Sequence, residues 1–502
     1  MKTIITLSQI NMGKIKEITI NTFDRGMSND LRSKDNRKFT LASHFDAFSF
    51  PHKLVPRPGF ATNTGTSTDI VKTLYVSRGT SFDLIGLDKN ANNRCYIKYW
   101  NGTAWATRAN MESASETRLE TVLFEYKKFA YMFGGNYLKR ADTYDSSTAF
   151  VDNLMTTWTK SALPTITSLA QPILHPTDDI AYFFINNLVY SLDAPDDGGD
   201  GWALGLTLPD DLKIVQGFAY GNFLAIACTT KASITQGAYS VVYLWDRDSS
   251  LTTVTERIDF GSGAIKHIAL LDNELVAVMD TEDDKKIVIK KRYYNGSKII
   301  GRIELDDQQV HYATSQVINN KLYFPMKAPF ESDNRLGVWV VDSNGNYNLD
   351  TVVPAFTTFD GIYWTGGKWW FCGGGVVKAS STTISATSIY KSLIFNGGDS
   401  SKTKQLIRVS ILTAPLIATY NDITVEYITD ASAAFYANTG WTKIMDTVGT
   451  RFKTTHEAIN IESDGSAFLT FKEIKVRVTV ANRRIEITGL KIKYEEVDDD
   501  LC

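Results

Sequence analysis

Residues 264–303 read AIKHIALLDNELVAVMDTEDDKKIVIKKRYYNGSKIIGRI, four short β-forming runs laid end to end. Ile265–Leu271 is followed by the polar turn Asp272-Asn273-Glu274, and Leu275–Met279 by a second turn at Thr281–Asp284. Ile287–Tyr294 then leads through Asn295-Gly296 into Lys298–Ile303. β-Branched and aromatic residues suit a pleated, half-buried surface. Asn-Gly suits a type I′ hairpin because both central residues of that turn need positive φ. Four antiparallel strands in a unit of about 40 residues match one blade of a β-propeller.

The first hairpin of this unit returns along the chain. A polar turn precedes Phe82, Phe129, Leu188, Phe223, Leu275, Leu322 and Trp369, with steps of 47, 59, 35, 52, 47 and 47. Seven hairpins favour seven blades over residues 71–387, with six or eight as the alternatives. The 59-residue step holds Tyr144–Trp158, read as an insertion. The 35-residue step holds the loop Asp193–Gly201, read as joining a trimmed blade. A propeller is a scaffold that hosts many functions, so function has to be sought in particular sites and in the flanks.

Both flanks break the repeat. Residues 1–70 read as an extended arm with one strand, Ile18–Phe23, and with three prolines in Pro51–Pro58 that favour extended backbone. Residues 388–497 hold seven strand candidates: Leu406–Leu412, Ile423–Thr429, Trp441–Met445, Glu457–Ile461, Ala467–Phe471, Ile474–Ala481 and Ile485–Tyr494. Their alternation predicts a β-sandwich of jelly-roll or fibronectin-like type. Residues 498–502 end an acidic tail. The expected class is therefore all-β, a propeller followed by a sandwich.

Composition narrows the functions. A formal net charge of −3, with cations and carboxylates interspersed, argues against nucleic acid as the main partner. Cys95, Cys228, Cys372 and Cys502 are too scattered for a disulfide framework or a zinc site. The six histidines show no metal-ligand spacing and read as turn or surface residues, and no nucleophile elbow or phosphate loop occurs. No enzyme activity, cofactor or membrane insertion is expected. The N-terminus lacks a signal-peptide core, which predicts synthesis and retention in a cytoplasm. Two features still invite a ligand. Asp193, Asp196, Asp197 and Asp200 place carboxylates in a Gly-rich loop that could hold calcium, although a solvated turn explains them as well. Trp364, Trp369 and Trp370 could stack on sugar rings, although blade packing explains them too.

The arm carries a further signal. Phe23-Asp24-Arg25-Gly26-Met27-Ser28-Asn29-Asp30 resembles the F-x-G-G-M-x-x-D opening of many tailed-bacteriophage structural proteins. Pro56-Arg57-Pro58-Gly59-Phe60 resembles the K-R-P-G-F-like segment that follows it there. This chain has Asp24-Arg25 where the first glycine often stands and Pro56 where lysine often stands. Ile423–Asp430 and Trp441–Ile444 are similar to strands of phage tail sandwich domains. The resemblance implies a virion component of the tail, collar, nozzle or tail-tip ring, assembled in the host cytoplasm. Its partners would be further copies in a homo-oligomeric ring and portal, adaptor or tail proteins, with nucleic acid met only as the passing genome. Phe23, Arg25, Gly26, Asp30, Arg57, Pro58, Gly59 and Phe60 would form the assembly arm. The alternative reading is a glycan-binding adhesin, or an inactive glycosidase-like propeller, at a host surface.

Overall fold

The structure is a computed structural model. It describes residues 15–497 except 29, 34, 36, 62–69, 79–80, 90–94, 101–104, 111–120, 127–128, 135–136, 141–163, 194–201, 249, 251–252, 282–285, 305–308, 311–313, 329–334, 354–360, 366–367, 374–375, 382–386, 417–419, 438, 450–453, 460–468 and 482–483. The described residues form strands and one short 3-10 turn, Ile234–Gln236, with no α-helix among them. The chain divides into two units, Gly59–Thr382 and the combination of Met1–Pro58 with Thr383–Cys502.

The larger unit has β-propeller character. Antiparallel sheets follow one another in chain order, and seven are seen among the described residues. Their first strands are Ile70–Arg78, Val122–Tyr126, Leu169–Leu174, Leu212–Tyr220, Ala264–Leu271, the interrupted Gln309–Val310 and Gln316–Ile318, and Gly361–Thr365. Each sheet packs on the next through these strands, helped at the sixth by Lys321–Lys327, and Gly361–Thr365 packs back on Ile70–Arg78. The seventh sheet takes its fourth strand from the other end of the sequence. Phe60–Ala61 pairs antiparallel with Val376–Ser380, in register Ala379 to Ala61 and Ser380 to Phe60.

The fifth sheet matches the strands expected of it: Ala264–Leu271, Glu274–Asp280, Lys286–Tyr293 and Gly296–Glu304. Asp272 and Asn273 have φ of 49° and 62°, and the corresponding Asn319 and Asn320 have 48° and 62°, the backbone of a type I′ turn. One hairpin is displaced by a residue. Gly296 pairs with Tyr293, so Tyr294-Asn295 forms the turn instead of Asn295-Gly296. The Asn295 carbonyl accepts the Asp259 N–H of the fourth sheet at 2.9 Å, which holds the turn there.

The uneven steps have a structural cause. The second strands begin at Ser81, Phe129, Ala181, Phe223, Glu274, Lys321 and Lys368, so the steps are 48, 52, 42, 51, 47 and 47. Asn186-Asn187 joins the second and third strands of the third sheet, whereas the other six turns join first and second strands. The equivalent turn is Pro176-Thr177-Asp178, after Leu169–Leu174. The third sheet is not trimmed: it has four strands, Leu169–Leu174, Ala181–Ile185, Leu188–Leu192 and Trp202–Thr207. The insertion expected at 144–158 lies outside the described residues.

Apolar side chains fill the space between neighbouring sheets. Phe184, Leu224, Ile226, Tyr182 and Trp245 belong to one buried cluster shared by the third and fourth sheets. Gly217 faces Phe184 so closely that a Cβ would lie 1.9 Å from its ring.

Among the described residues the smaller unit holds two five-stranded sheets and the short pair Phe45–Asp46 and Val55–Pro56. In one, Ile15–Ile20 is the edge beside Ile487–Glu496, followed by Lys404–Thr413 and Thr455–Ile459, and Thr470–Phe471 also pairs with Lys404–Thr413. In the other, Leu41–Ser43 is the edge beside Ser388–Lys391, followed by Ile474–Val480, Tyr420–Thr429 and Thr442–Gly449. Ile474, Val476, Val478 and Val480 are buried, while Arg477 and Thr479 are partly exposed. The segment expected as an extended arm with one strand over 1–70 is divided between the two units. Its strands Ile15–Ile20 and Leu41–Ser43 build these two sheets, Phe45–Asp46 and Val55–Pro56 pair with each other, and Phe60–Ala61 serves the larger unit. The expected strand Ile18–Phe23 is Ile15–Ile20, because Ile20 pairs with Leu490 and Phe23 turns inward against Tyr390, with ring centroids 5.6 Å apart.

Two outcomes test this packing. Gly217→Ala forces a Cβ into Phe184 and is expected to cost about 1–3 kcal/mol in urea unfolding; unchanged stability would refute the close approach. His44 is buried and burial lowers its pKa to about 4. The unfolded chain protonates near 6.5 and the folded chain only near 4, so stability falls as pH drops through that window, by up to roughly 3 kcal/mol. His44 has φ of 57°, a conformation asparagine tolerates. His44→Asn is therefore expected to flatten the stability profile between pH 6.5 and 4; an unaltered profile would assign the effect elsewhere.

Candidate functional site

In an antiparallel meander the first-to-second and third-to-fourth turns emerge at the same end of each sheet. On the larger unit this end is tied from sheet to sheet by polar contacts. The Tyr126 hydroxyl of the second sheet reaches the Asp179 carbonyl of the third at 3.1 Å. Arg292 of the fifth donates to the Tyr220 hydroxyl at 3.1 Å and to Glu256 at 2.5 Å, both in the fourth. The Asp272 N–H of the fifth donates to Asn320 Oδ1 of the sixth at 2.8 Å, and the Asp272 carboxylate accepts from Asn320 and Ser343.

A further knot joins the third and fourth sheets at His175, which is fully buried. Arg247 Nη1 lies 2.5 Å from His175 Nδ1 and 2.6 Å from Asp178 Oδ2. The Tyr182 hydroxyl donates to the same Asp178 oxygen at 3.1 Å. A guanidinium only donates, so Nδ1 is the acceptor and Nε2 carries the proton, given to the Phe223 carbonyl at 3.1 Å. Burial, and secondarily Arg247, lowers the His175 pKa and keeps the ring neutral. Both ring nitrogens are engaged internally, so the arrangement fixes turns and leaves no imidazole nitrogen for a substrate. His44, His267 and His456 are buried as well, against the surface or turn positions expected for the histidines. His267 already stands in the β-forming run Ile265–Leu271, whereas His44 and His456 have polar neighbours in sequence, Ser43 and Thr455.

The aromatic candidates lie at the same end of the seventh sheet but differ in exposure. Trp364 is 40% exposed, Trp369 is buried, and Trp370 is packed with Tyr363, Cys372, Val377 and Trp105. Trp369 contacts Tyr323, Trp364 and Phe371, with centroids 5.2, 5.2 and 6.2 Å away. Only Trp364 offers a face to a ligand. Of the carboxylate candidates, Asp193 is exposed, and Asp196, Asp197 and Asp200 lie outside the described residues. Among the described residues no group of three His, Cys, Asp or Glu side chains could hold a metal ion.

The arm residues are engaged within their own chain. Phe23 and Gly26 are buried, Gly26 with φ of 68° and its carbonyl accepting the Phe39 N–H at 3.2 Å. Arg25 is half-buried. Asp30 is exposed and accepts the Arg32 N–H at 3.2 Å. Arg57 pairs with Asp46 at 3.4 Å and donates its N–H to the His44 carbonyl. Pro58 is exposed, the Gly59 carbonyl accepts the Ser381 N–H at 2.7 Å, and Phe60 pairs with Ser380. The segment Pro56–Phe60 is the crossing from one unit to the other. Sequence reading missed the exposed pair Tyr293 and Tyr294 at the Tyr294-Asn295 turn, 54% and 78% exposed, because Asn295-Gly296 drew attention to the following pair.

No family model matches this chain, and no curated protein matches it. Solved structures resemble it at low identity. A propeller named Dos1 is 12% identical, with 68% of this chain and 83% of that chain covered and a TM-score of 0.41. The extracellular domain of a hybrid two-component system from B. thetaiotaomicron is 12% identical, covering 81% of this chain and 48% of that chain, TM-score 0.42. A glycoside hydrolase is 11% identical, covering 86% and 100%, TM-score 0.28. Likenesses of this grade carry no argument about activity.

Arg247→Met removes the donor shared by His175 and Asp178. Asp178 is partly exposed, so water relieves some of the loss, and the expected cost is about 2 kcal/mol. The His175 pKa should rise in an NMR titration once the guanidinium is gone. A variant with unchanged stability and unchanged His175 titration would refute the network.

Proposed function

We propose that this chain is a structural component of a tailed-phage virion, in a tail, collar, nozzle or tail-tip ring, and that it acts through subunit contacts and not as an enzyme. In this reading the larger unit is a seven-bladed propeller serving as a stiff spacer. The return of Gly361–Thr365 onto Ile70–Arg78 supports seven blades. The smaller unit is a β-sandwich, supported by the buried rows Ile474, Val476, Val478 and Val480 in one sheet and Leu490, Ile492 and Tyr494 in the other. Assembly takes place in the host cytoplasm, with further copies and portal, adaptor or tail proteins as partners.

The observation that carries the reading is the edge strand Ile15–Ile20. It pairs on one side with Ile487–Glu496 and ends its sheet among the described residues. Glu17 is drawn to Lys491 at 3.1 Å and Lys493 at 3.5 Å, and Lys16 to Glu496 at 2.5 Å. These charges are therefore spent along the sheet, while Ile15 stays 64% exposed. Isolated proteins usually guard such an edge with outward charge or proline, and an unguarded edge suits strand addition by a neighbour.

Mass spectrometry of purified particles is expected to find the chain in fixed ratio to portal and tail proteins. Ile15→Lys combined with Thr19→Lys is expected to leave the unfolding midpoint in place and to lower incorporation at least tenfold. Particles that lack the wild-type chain, or that take up the double variant normally, would overturn the proposal.

A further inference from the structure

The third-to-fourth hairpin of the fifth sheet reads Lys290-Lys291-Arg292-Tyr293-Tyr294-Asn295-Gly296-Ser297-Lys298. Tyr294 sits at its tip with φ of 53° and is 78% exposed. Bulky residues rarely take this left-handed conformation, and strain of this kind collects at functional positions. The Tyr294 ring touches the Tyr293 ring, with centroids 4.6 Å apart at 77°. The Lys298 ammonium lies 5.0 Å from the Tyr293 ring centroid, and Ile299 beside it is 46% exposed.

The cations of the hairpin are not equally available. Lys290 donates to the Phe260 and Ser262 carbonyls at 2.5 and 3.2 Å. Lys291 is paired with Glu274, and Arg292 with Glu256 and the Tyr220 hydroxyl. Lys298 forms no ion pair among the described residues. The turn therefore offers two rings set at an angle and a single ammonium.

We propose that Tyr293 and Tyr294, at the tip of this hairpin, form a saccharide-binding site selective for sugars that carry a carboxylate. The rings pack on the apolar face of a pyranose, and Lys298 meets the acid group. Rigid aromatic side chains give such contacts at a small cost in conformational entropy. One ammonium does not neutralise a run of phosphodiesters, and three of the four cations here are already engaged, which disfavours nucleic acid. A protein partner would need on the order of 1,000 Å² of buried surface, far more than these side chains supply. The site stands independently of the assembly role, and it is separate from Trp364.

Four full-length chains test the assignment on an array of carboxylate-bearing and neutral saccharides, followed by titration of the retained sugars. The wild type is expected to retain acidic sugars in preference to their neutral counterparts. Tyr294→Gly relieves the left-handed strain, so it is expected to raise the unfolding midpoint while weakening binding at least tenfold. Lys298→Gln is expected to abolish the preference for acidic sugars while neutral binding persists. The Tyr293→Ala, Tyr294→Ala double variant sets the background. Retention no higher than that background, wild-type affinity in Tyr294→Gly, or equal retention of acidic and neutral sugars by the wild type would each overturn the proposal. So would tighter binding of a single-stranded oligonucleotide than of any sugar.

Discussion

A succession of twisted sheets that packs back on itself has to be secured where its two ends meet. Here Phe60 and Ala61 supply that joint by hydrogen-bonding to Ala379 and Ser380. The last sheet is thereby built from both ends of the larger unit, so neither end can fray without breaking strand pairs. The same joint explains the proline-rich segment before it. Pro56 and Pro58 restrict the backbone just where Arg57 is held by Asp46 and Gly59 by Ser381. The extended geometry expected of this segment is used to carry the chain between units within a few residues.

The contacts between neighbouring sheets divide into two kinds. Apolar residues such as Phe184 and Trp245 fill the interior, where close packing leaves no room for a Cβ at Gly217. Polar groups tie the turns at one end, as Arg247 does by donating through one nitrogen to both His175 and Asp178. Buried polar groups of this sort add directional constraint to a core whose apolar contacts are non-directional. Against that fixed background, Tyr294 stands out as a side chain that contributes exposure and strain instead of packing.

Much of the fold was legible because its determinants are local. The strands of the fifth sheet follow from alternation and turn chemistry, and the positive φ of Asp272, Asn273, Asn319 and Asn320 is what short polar side chains permit. The C-terminal strands were placed within a few residues for the same reason. The phase of the third sheet was misread because Asn186-Asn187 is the stronger turn signal, while the equivalent turn follows His175 and looks like an ordinary loop. The pairings of Ile15–Ile20 with Ile487–Glu496 and of Leu41–Ser43 with Ser388–Lys391 left no trace that one sequence could show. Such pairs are recognised only by their partners across the chain. The knot at His175 was hidden likewise, since Arg247 lies 72 positions away, and the exposure of Tyr294 depended on a one-residue shift that a contact from the fourth sheet imposes.

The larger unit is inserted within the smaller one, and this sets an order of events during synthesis. Leu41–Ser43 and Ile15–Ile20 leave the ribosome long before Ser388–Lys391 and Ile487–Glu496 exist. At translation rates of about 5–20 residues per second the wait is on the order of tens of seconds. Throughout it, apolar strand edges that end up buried, such as Leu41 and Ala42, have no native partner. Both edge strands thus stay unpaired until the last hundred or so residues of the sequence have been made.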